Sequence, residues 1–175
     1  MSKAFTRDDG PDEPLVVPPR APLPPGTPNY VTPRGLLLLK AEQIEMAAAR
    51  SRLAAEDGDD PGVRRERTIA ARRLEALSAR VASAVVVDPK TQPQDEVRFG
   101  ATVTLVTAEG EHAGEERQVQ IVGVDEASPA ERRVAFVAPI AKAILGLKVG
   151  ETTTLRTARG DEVLEVRAIV YAAGQ

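Results

Sequence analysis

Four carboxylates lie in one short segment of the chain, Ala54 to Gly62, which reads Ala-Ala-Glu-Asp-Gly-Asp-Asp-Pro-Gly. These acids are Glu56, Asp57, Asp59 and Asp60. The segment also holds the only proline and glycine residues between Gly35 and Pro89, so we expect the chain to reverse direction here. The runs on both sides have helical apolar spacing, which places the acids at the far end of a predicted helical hairpin.

The acidic turn has two interpretations from its residues alone. Aspartate and glycine are common in solvated turns, and Asp59 or Asp60 can cap the second helix by accepting hydrogen bonds from its first backbone amides. The other interpretation is a functional acidic tip on a rod. The residue types do not decide between these two interpretations.

Arginines line the two predicted helices on both sides of the acidic turn. The acidic tip and the helical shaft behind it therefore have opposite charge. These residues are Arg50, Arg52, Arg64, Arg65, Arg67, Arg72, Arg73 and Arg80. A solvated helix face with Glu–Arg pairs explains them without a ligand. Contact with a phosphate backbone is the functional alternative.

The first helix is predicted to begin at Pro33, after the cap residue Thr32, and to run to Glu56. Apolar residues follow two seams along it: Leu37, Ala41, Ile44, Ala48, Ser51 and Ala55, and Leu36, Leu39, Met46 and Leu53. The second helix carries one heptad seam: Val63, Arg67, Ala70, Leu74, Leu77, Val81 and Ala84. A turn this short makes the helices antiparallel, and we predict a coiled-coil hairpin over residues 32–88 that ends in Val85-Val86-Val87-Asp88.

Residues 1–31 contain eight of the fourteen prolines of the chain. Because proline removes a backbone donor and disfavours helix and sheet, we expect an extended, disordered leader, which is either an inert tail or a recognition peptide. A linker is predicted at 89–95. Beyond it the apolar period changes to two, with candidate strands at 97–107, 116–124, 133–137, 152–157 and 162–171 and a short helix at 138–150. The fold class is therefore α+β, a helical hairpin followed by a small antiparallel-sheet domain at 96–175.

The composition restricts the classes of function. The net charge of −3 and the aromatic content of 3% argue against a protein that wraps nucleic acid or stacks bases. No cysteine, secretory signal or long apolar run is present, so we expect a cytoplasmic protein without membrane contact. His112, the only histidine, is expected to be a solvated loop residue. With no zinc motif, phosphate loop or nucleophile elbow, an independent enzyme is not expected.

Several strings, in this order along the chain, resemble the Gre family of bacterial transcript-cleavage factors, GreA and GreB. The resemblance covers about residues 25–172 and implies an FKBP-like C-terminal domain. The strings are Pro-Gly-Thr-Pro-Asn-Tyr-Val-Thr-Pro-Arg-Gly at 25–35, Ala-Val-Val-Val-Asp at 84–88, Val-Arg-Phe-Gly-Ala-Thr-Val at 97–103, Ile-Val-Gly-Val-Asp-Glu at 121–126, and the segment 139–150.

The resemblance implies a regulator that inserts its hairpin into the secondary channel of RNA polymerase. Tip carboxylates of the family help to hold a magnesium ion in the polymerase active site, where backtracked RNA is hydrolysed; here the matching acids are Glu56, Asp57, Asp59 and Asp60. Arg64, Arg65 and Arg67 would meet phosphates near the 3′ end of the nascent RNA. Docking on the polymerase is expected at Val137, Ala138 and Pro139. No stably bound cofactor is expected, and the protein is expected to be a monomer.

This chain departs from the family in three places. The family tip reads approximately Gly-Asp-x-Ser-Glu-Asn-Ala-x-Tyr, and its serine, asparagine and tyrosine have no counterpart here. Each hairpin arm is about one heptad, or ~10 Å, shorter than in a typical member. Val137 and Ala138 replace an acidic residue and a serine. In the last detail, and in the string Leu-Gly-Leu-Lys-Val-Gly at 145–150, the domain resembles the related regulator of nucleoside diphosphate kinase, a member with a short hairpin.

Three functions therefore stay open at this point. The first is stimulation of RNA cleavage by the polymerase, and the second is a non-cleaving occupant of the channel that competes with Gre factors. The third, from another class, is a coiled-coil scaffold or dimerisation protein whose proline-rich leader recruits an unrelated partner.

Overall fold

The computed structural model describes residues 20, 22–55 and 60–171. The predicted positions of Glu56, Asp57 and Asp59, and most of the predicted leader, lie outside the described residues.

Two long helices form the predicted hairpin. Helix α1 spans Pro33–Ala55 and helix α2 spans Pro61–Ala82, each about 33 to 35 Å long at the helical rise. The predicted start of α1 is confirmed, because the Thr32 hydroxyl oxygen accepts a hydrogen bond of 2.9 Å from the amide of Gly35. Proline at the first position of each helix has no amide to leave unpaired.

Only one of the two predicted α1 seams faces α2. Leu39 of α1 and Leu77 of α2 are 2% and 1% exposed, and Leu36 and Met46 pack against the same cluster. The other seam faces away from α2, since its residue Leu37 is 68% exposed. All other members of that seam are also exposed: Ala41, Ile44, Ala48, Ser51 and Ala55. Both seams have helical spacing, so periodicity alone could not choose between them.

The chain on both sides of the hairpin is extended and paired. Strand β1, Asn29–Val31, pairs in parallel with strand β2, Ala84–Val86. The leader boundary at Val31 was therefore placed too late, because residues 29–31 are part of a two-stranded sheet. The helical hairpin also ends earlier than residue 88. The β-branched valines continue the chain as a strand after α2 ends.

A five-stranded sheet forms the C-terminal domain, which we call the base (residues 96–171). Its order is β5-β4-β3-β7-β6, with neighbours antiparallel except for β5, which pairs in parallel with β4. The strands are β3 (Thr102–Glu109), β4 (Glu116–Val122), β5 (Arg133–Ala135), β6 (Thr152–Thr157) and β7 (Gly160–Val170). The predicted α+β class is confirmed. The sheet differs from the predicted antiparallel one in that β5, within the strand predicted at 133–137, pairs in parallel with β4.

Two predicted elements of the base are shorter than expected. The first strand begins at Thr102 rather than at Val97, since Gly100 has a φ of +89° that interrupts extended structure. Helix α3 covers only Pro139–Ile144, and Gly146, with a φ of +86°, follows its end. The predicted linker at 89–95 contains a 3₁₀ turn, Pro89–Thr91.

Strand β1 connects the cores of the hairpin and the base. Val31 is buried with Leu39 and Leu77 in the hairpin core. Tyr30 points to the other side and packs its ring against Phe99 and Phe136 of the base, with centroids 5.9 and 5.7 Å away. Alternation of side chains along a strand thus lets two consecutive residues belong to two cores.

Candidate functional site

Asp60 is the one tip carboxylate among the described residues. Its Oδ1 accepts hydrogen bonds from the amides of Gly62 at 2.7 Å and Val63 at 3.3 Å, so it caps α2. The capping interpretation of Asp60 is confirmed. A carboxylate at a helix N-terminus also faces the positive end of the helix dipole.

The arginines nearest the turn are placed differently from one another. Arg64 and Arg65 are exposed on α2. Arg67 is half-buried, and its Nε donates a 2.8 Å hydrogen bond to the carbonyl oxygen of Leu53 at the end of α1. That bond joins the two helices near the turn and satisfies a carbonyl that the helix itself leaves unpaired.

The hairpin has two unlike sides where its helices meet. One groove is mainly apolar and is lined by Met46, Ala49, Leu53, Ile69 and Ala70, with Glu66 and Arg73 at its margins. The opposite groove is basic and is lined by Arg50, Arg67 and Arg72 with Ala54, Thr68, Ala71 and Glu75. Small alanine side chains on both helices leave these grooves open.

The open end of the hairpin is fastened to the base by two adjacent carboxylates. Asp125 and Glu126 lie in a 3₁₀ turn, Val124–Glu126, that follows β4. Glu126 contacts the start of α1: its Oε2 accepts from the Thr32 hydroxyl at 2.5 Å and its Oε1 from Arg34 at 3.1 Å. Asp125 contacts the end of α2, where its Oδ2 lies 3.2 Å from Nε of Arg80.

Sequence reasoning missed this junction. Arg80 was assigned to a solvated helix face, whereas its side chain is only 9% exposed and that of Asp125 is 7% exposed. Arg20, in the predicted leader, donates a 2.7 Å hydrogen bond to Asp125. Two adjacent acids directly after a strand were the available signal, but the partners of Asp125 are 45 and 105 residues away in the chain, and those of Glu126 are 92 and 94 residues away.

The predicted docking residues lie at the start of α3. Val137 and Ala138 are half-buried, and Pro139 is exposed at the first position of the helix. The amide of Ala138 donates to the carbonyl of Ala135 at 2.8 Å, which fixes the approach to the helix.

His112 is not the freely solvated residue that was expected. Its Nδ1 lies 2.9 Å from Oε1 of Glu162, and the other carboxylate oxygen, Oε2, accepts a 3.0 Å hydrogen bond from Arg117. The bond to Glu162 raises the pKa of His112 above its ordinary value, and the bond to His112 lowers the pKa of Glu162. The three residues tie the β3–β4 loop to the start of β7.

Within the described ranges, no group of three or more acidic or histidine side chains is placed to hold a metal ion. No helix in those ranges combines the length and the apolar character needed to cross a bilayer.

Comparison with known proteins gives a consistent family. The family model "Transcription elongation factor, GreA/GreB, C-term" matches residues 92–171. "Transcription elongation factor GreB" of Neisseria meningitidis serogroup A is 36% identical over 160 residues, covering 83% of this chain and 95% of the relative. "Transcription elongation factor GreA" of Thermodesulfovibrio yellowstonii is 30% identical over 139 residues, covering 72% and 86%.

Among solved structures, "Prokaryotic transcription elongation factor GreA/GreB from Nitrosomonas europaea" is similar with a TM-score of 0.40 at 20% identity, over 83% of this chain and 99% of that one. The family assignment rests on the sequence matches, which extend over both the hairpin and the base. Members of this family are named as elongation factors and not as enzymes. The chain belongs to the GreA/GreB family of transcription elongation factors.

Proposed function

We propose that this chain binds RNA polymerase at its secondary channel in the cytoplasm, with the base at the channel rim and the hairpin inside. The observation that supports this most directly is the arrangement of the hairpin. Its open end is held to the base by buried contacts of Glu126 and Asp125, and the acidic turn joins the opposite ends of α1 and α2. Family membership supplies the partner, since the relatives are elongation factors.

In the cleavage version, tip carboxylates help to hold a magnesium ion that belongs to the polymerase active site. Carboxylate oxygens are the hard ligands that magnesium prefers, and one or two of them suffice beside water and substrate. When bound, that ion would activate water for hydrolysis of backtracked RNA. Because Oδ1 of Asp60 already accepts two amides, Glu56, Asp57 and Asp59 are the stronger candidates. Arg64 and Arg65, exposed on α2, would meet phosphates of the RNA 3′ end.

A transcript-cleavage assay tests this version. The full chain, added to a backtracked elongation complex with magnesium, should shorten the RNA from its 3′ end. Asp57→Asn and Asp59→Asn should reduce the cleavage rate, and Asp161→Asn, at an exposed position in the base, should not. If RNA stays intact where an authentic Gre factor cleaves it, the cleavage version is wrong.

A non-cleaving version is favoured by a different observation. The tip lacks the serine, asparagine and tyrosine of the family motif, and Asp60 is used as a helix cap. A protein of this kind would occupy the channel and alter pausing or initiation without hydrolysis. It should bind polymerase in competition with an authentic Gre factor; binding that this factor cannot displace would rule out a shared site.

Docking through the start of α3 can be tested separately. Pro139→Glu places an acidic side chain in the first turn of α3. Such a side chain is compatible with the helix, because it faces the positive end of the helix dipole. We expect this variant to fold and to bind polymerase more weakly. Gln118→Glu adds the same charge at an exposed position of β4 and is the matched control. Equal affinities of the two variants would place the docking surface elsewhere.

A further inference from the structure

Arg20 joins three segments that are distant in the sequence. Its two terminal nitrogens contact different carboxylates: one donates to Asp125 of the base at 2.7 Å, and the other to Glu42 of α1 at 2.5 Å. Asp125 in turn pairs with Arg80 near the end of α2. A single side chain from the N-terminal leader therefore lies between the base and the hairpin.

The burial of this cluster distinguishes it from ordinary surface pairs. The side chains of Asp125 and Arg80 are 7% and 9% exposed, and that of Arg20 is 23% exposed. Exposed ion pairs contribute little to stability, but a partner removed from a buried pair leaves an uncompensated charge. Asp125 holds two arginines, so loss of either one changes the charge balance of the junction.

The chemistry of the contact favours arginine over lysine. A planar guanidinium can hold two carboxylates in fixed relative positions, whereas a lysine ammonium is a point charge on a flexible stem. Because Glu42 belongs to α1 and Asp125 to the base, fixing these two carboxylates fixes α1 relative to the base. Asp125 is also adjacent in the chain to Glu126, which accepts the hydrogen bond from Thr32 at the start of α1.

We propose that Arg20 acts as a strap: through its bonds to Asp125 and Glu42 it sets the angle between the hairpin and the base, and so the position of the acidic tip. The claim that Arg20 sets this angle does not depend on the proposed function. Only the consequence of the angle for polymerase rests on the proposed function. If the base is docked on the polymerase, it directs the tip to one place only when the angle between hairpin and base varies over a narrow range. Arg20 is a positioning residue in this scheme and does not meet RNA.

The angle can be measured on the free protein because the chain contains no cysteine. Ser51→Cys on α1 and Thr154→Cys on β6, both exposed, provide two spin-label sites. We expect one narrow distance distribution by electron spin resonance. Arg20→Ala should cause loss of the narrow maximum, and Arg20→Lys should give an intermediate width.

The matched control is Asp95→Asn, which breaks the exposed Lys148–Asp95 pair within the base and should leave the distribution unchanged. Arg20 lies outside both helices and the five-stranded sheet, so its alanine variant should keep both cores, which thermal unfolding of the labelled variants checks. If the folded Arg20→Ala variant keeps the narrow distribution of distances between the two labels, the proposal that Arg20 is a strap is wrong.

Polymerase experiments separate the strap from the proposed function. If the proposed function is right, Arg20→Ala should keep its competition with a Gre factor but lose a tip-dependent effect on cleavage or pausing. If the wild-type chain does not compete at all, the proposed function fails while the distance measurement still decides the strap. If Arg20→Ala broadens the distribution but keeps the full tip-dependent effect, the consequence for the tip is wrong.

Discussion

The hydroxyl of Thr32 donates a 2.5 Å hydrogen bond to Glu126, and the same oxygen accepts the amide of Gly35 at 2.9 Å. One side chain thus caps α1 and fastens it to the base. The glycine at position 35 suits this arrangement, because an added Cβ would lie 2.7 Å from Oε2 of Glu126. The cap and the junction are therefore a single unit.

Replacement of Thr32 by valine tests this unit. Loss of the hydroxyl removes the cap and leaves the buried Glu126 carboxylate with one bond fewer, so we expect a loss of about 2 to 3 kcal/mol in the free energy of unfolding. Denaturant unfolding measures it. Thr32→Ser keeps the hydroxyl and should lose much less; a loss in Thr32→Ser as large as that in Thr32→Val would mean that the hydroxyl does not hold this unit together.

Two substitutions of Asp60 distinguish its role as a helix cap from a role in the activity of the tip. Asp60→Ala should lower the free energy of unfolding by about 1 kcal/mol, because two amides at the start of α2 lose their acceptor. Asp60→Asn keeps the cap and removes the charge. If Asp60→Asn has normal stability but reduced activity on backtracked complexes, the carboxylate has a role in cleavage as well as in capping. If its activity is normal, Asp60 serves only as a helix cap.

The two seams of α1 predict opposite results for the same type of substitution. Leu39→Ala should cost about 2 to 4 kcal/mol, since Leu39 is 2% exposed and its removal leaves a cavity. Leu37→Ala should change the free energy of unfolding by less than about 0.5 kcal/mol, because Leu37 is 68% exposed. A large loss in Leu37→Ala would show that another surface covers the exposed seam in solution.

The His112–Glu162 pair predicts a pH dependence in the base. His112 has a raised pKa in the folded state, so its contribution is present below its ordinary 6.5 and is lost as the pH rises through the folded value. Glu162 has a lowered pKa, so its contribution is present above its ordinary 4.5 and is lost as the pH falls through the folded value. The pair should be strongest between those limits.

NMR titration measures this pair directly, since the chain has a single histidine. Glu162→Gln should return the pKa of His112 towards its ordinary value. Glu165→Gln, on the same strand, is the control and should leave it raised. A histidine that titrates identically in all three proteins would contradict the bond to Glu162.

The scaffold hypothesis predicts a stable dimer through the helices, whereas the channel hypothesis predicts a free hairpin. We expect light scattering to give the mass of one 18.7 kDa chain. If a dimer is found, Ile44→Glu should dissociate it, because Ile44 is 70% exposed within the exposed seam of α1. A dimer that tolerates this charge would not be held by that seam.

Local signals predicted the elements of this protein well. The Thr32-Pro33 start of α1 and the reversal of the chain between the helices depend on residue types within a few positions. Helix α1 begins at the predicted Pro33, and α2 begins at Pro61, two residues before the predicted seam starts at Val63. The change of period after the linker predicted the sheet of the base. The sequence did not decide which α1 seam faces α2 and did not predict the pairing of β1 with β2, because both depend on which distant segment lies beside each one.

The sequence by itself determined two helices, an acidic turn between them and a β-rich domain, because capping, proline positions and apolar period act locally. Only the tertiary structure decided that Asp125 and Glu126 hold the hairpin and that Arg20 and Arg80 share one carboxylate. Buried charges need partners, but the identity of a partner is set by chain topology and not by nearby residues. The junction that positions the tip is therefore a property of the folded chain.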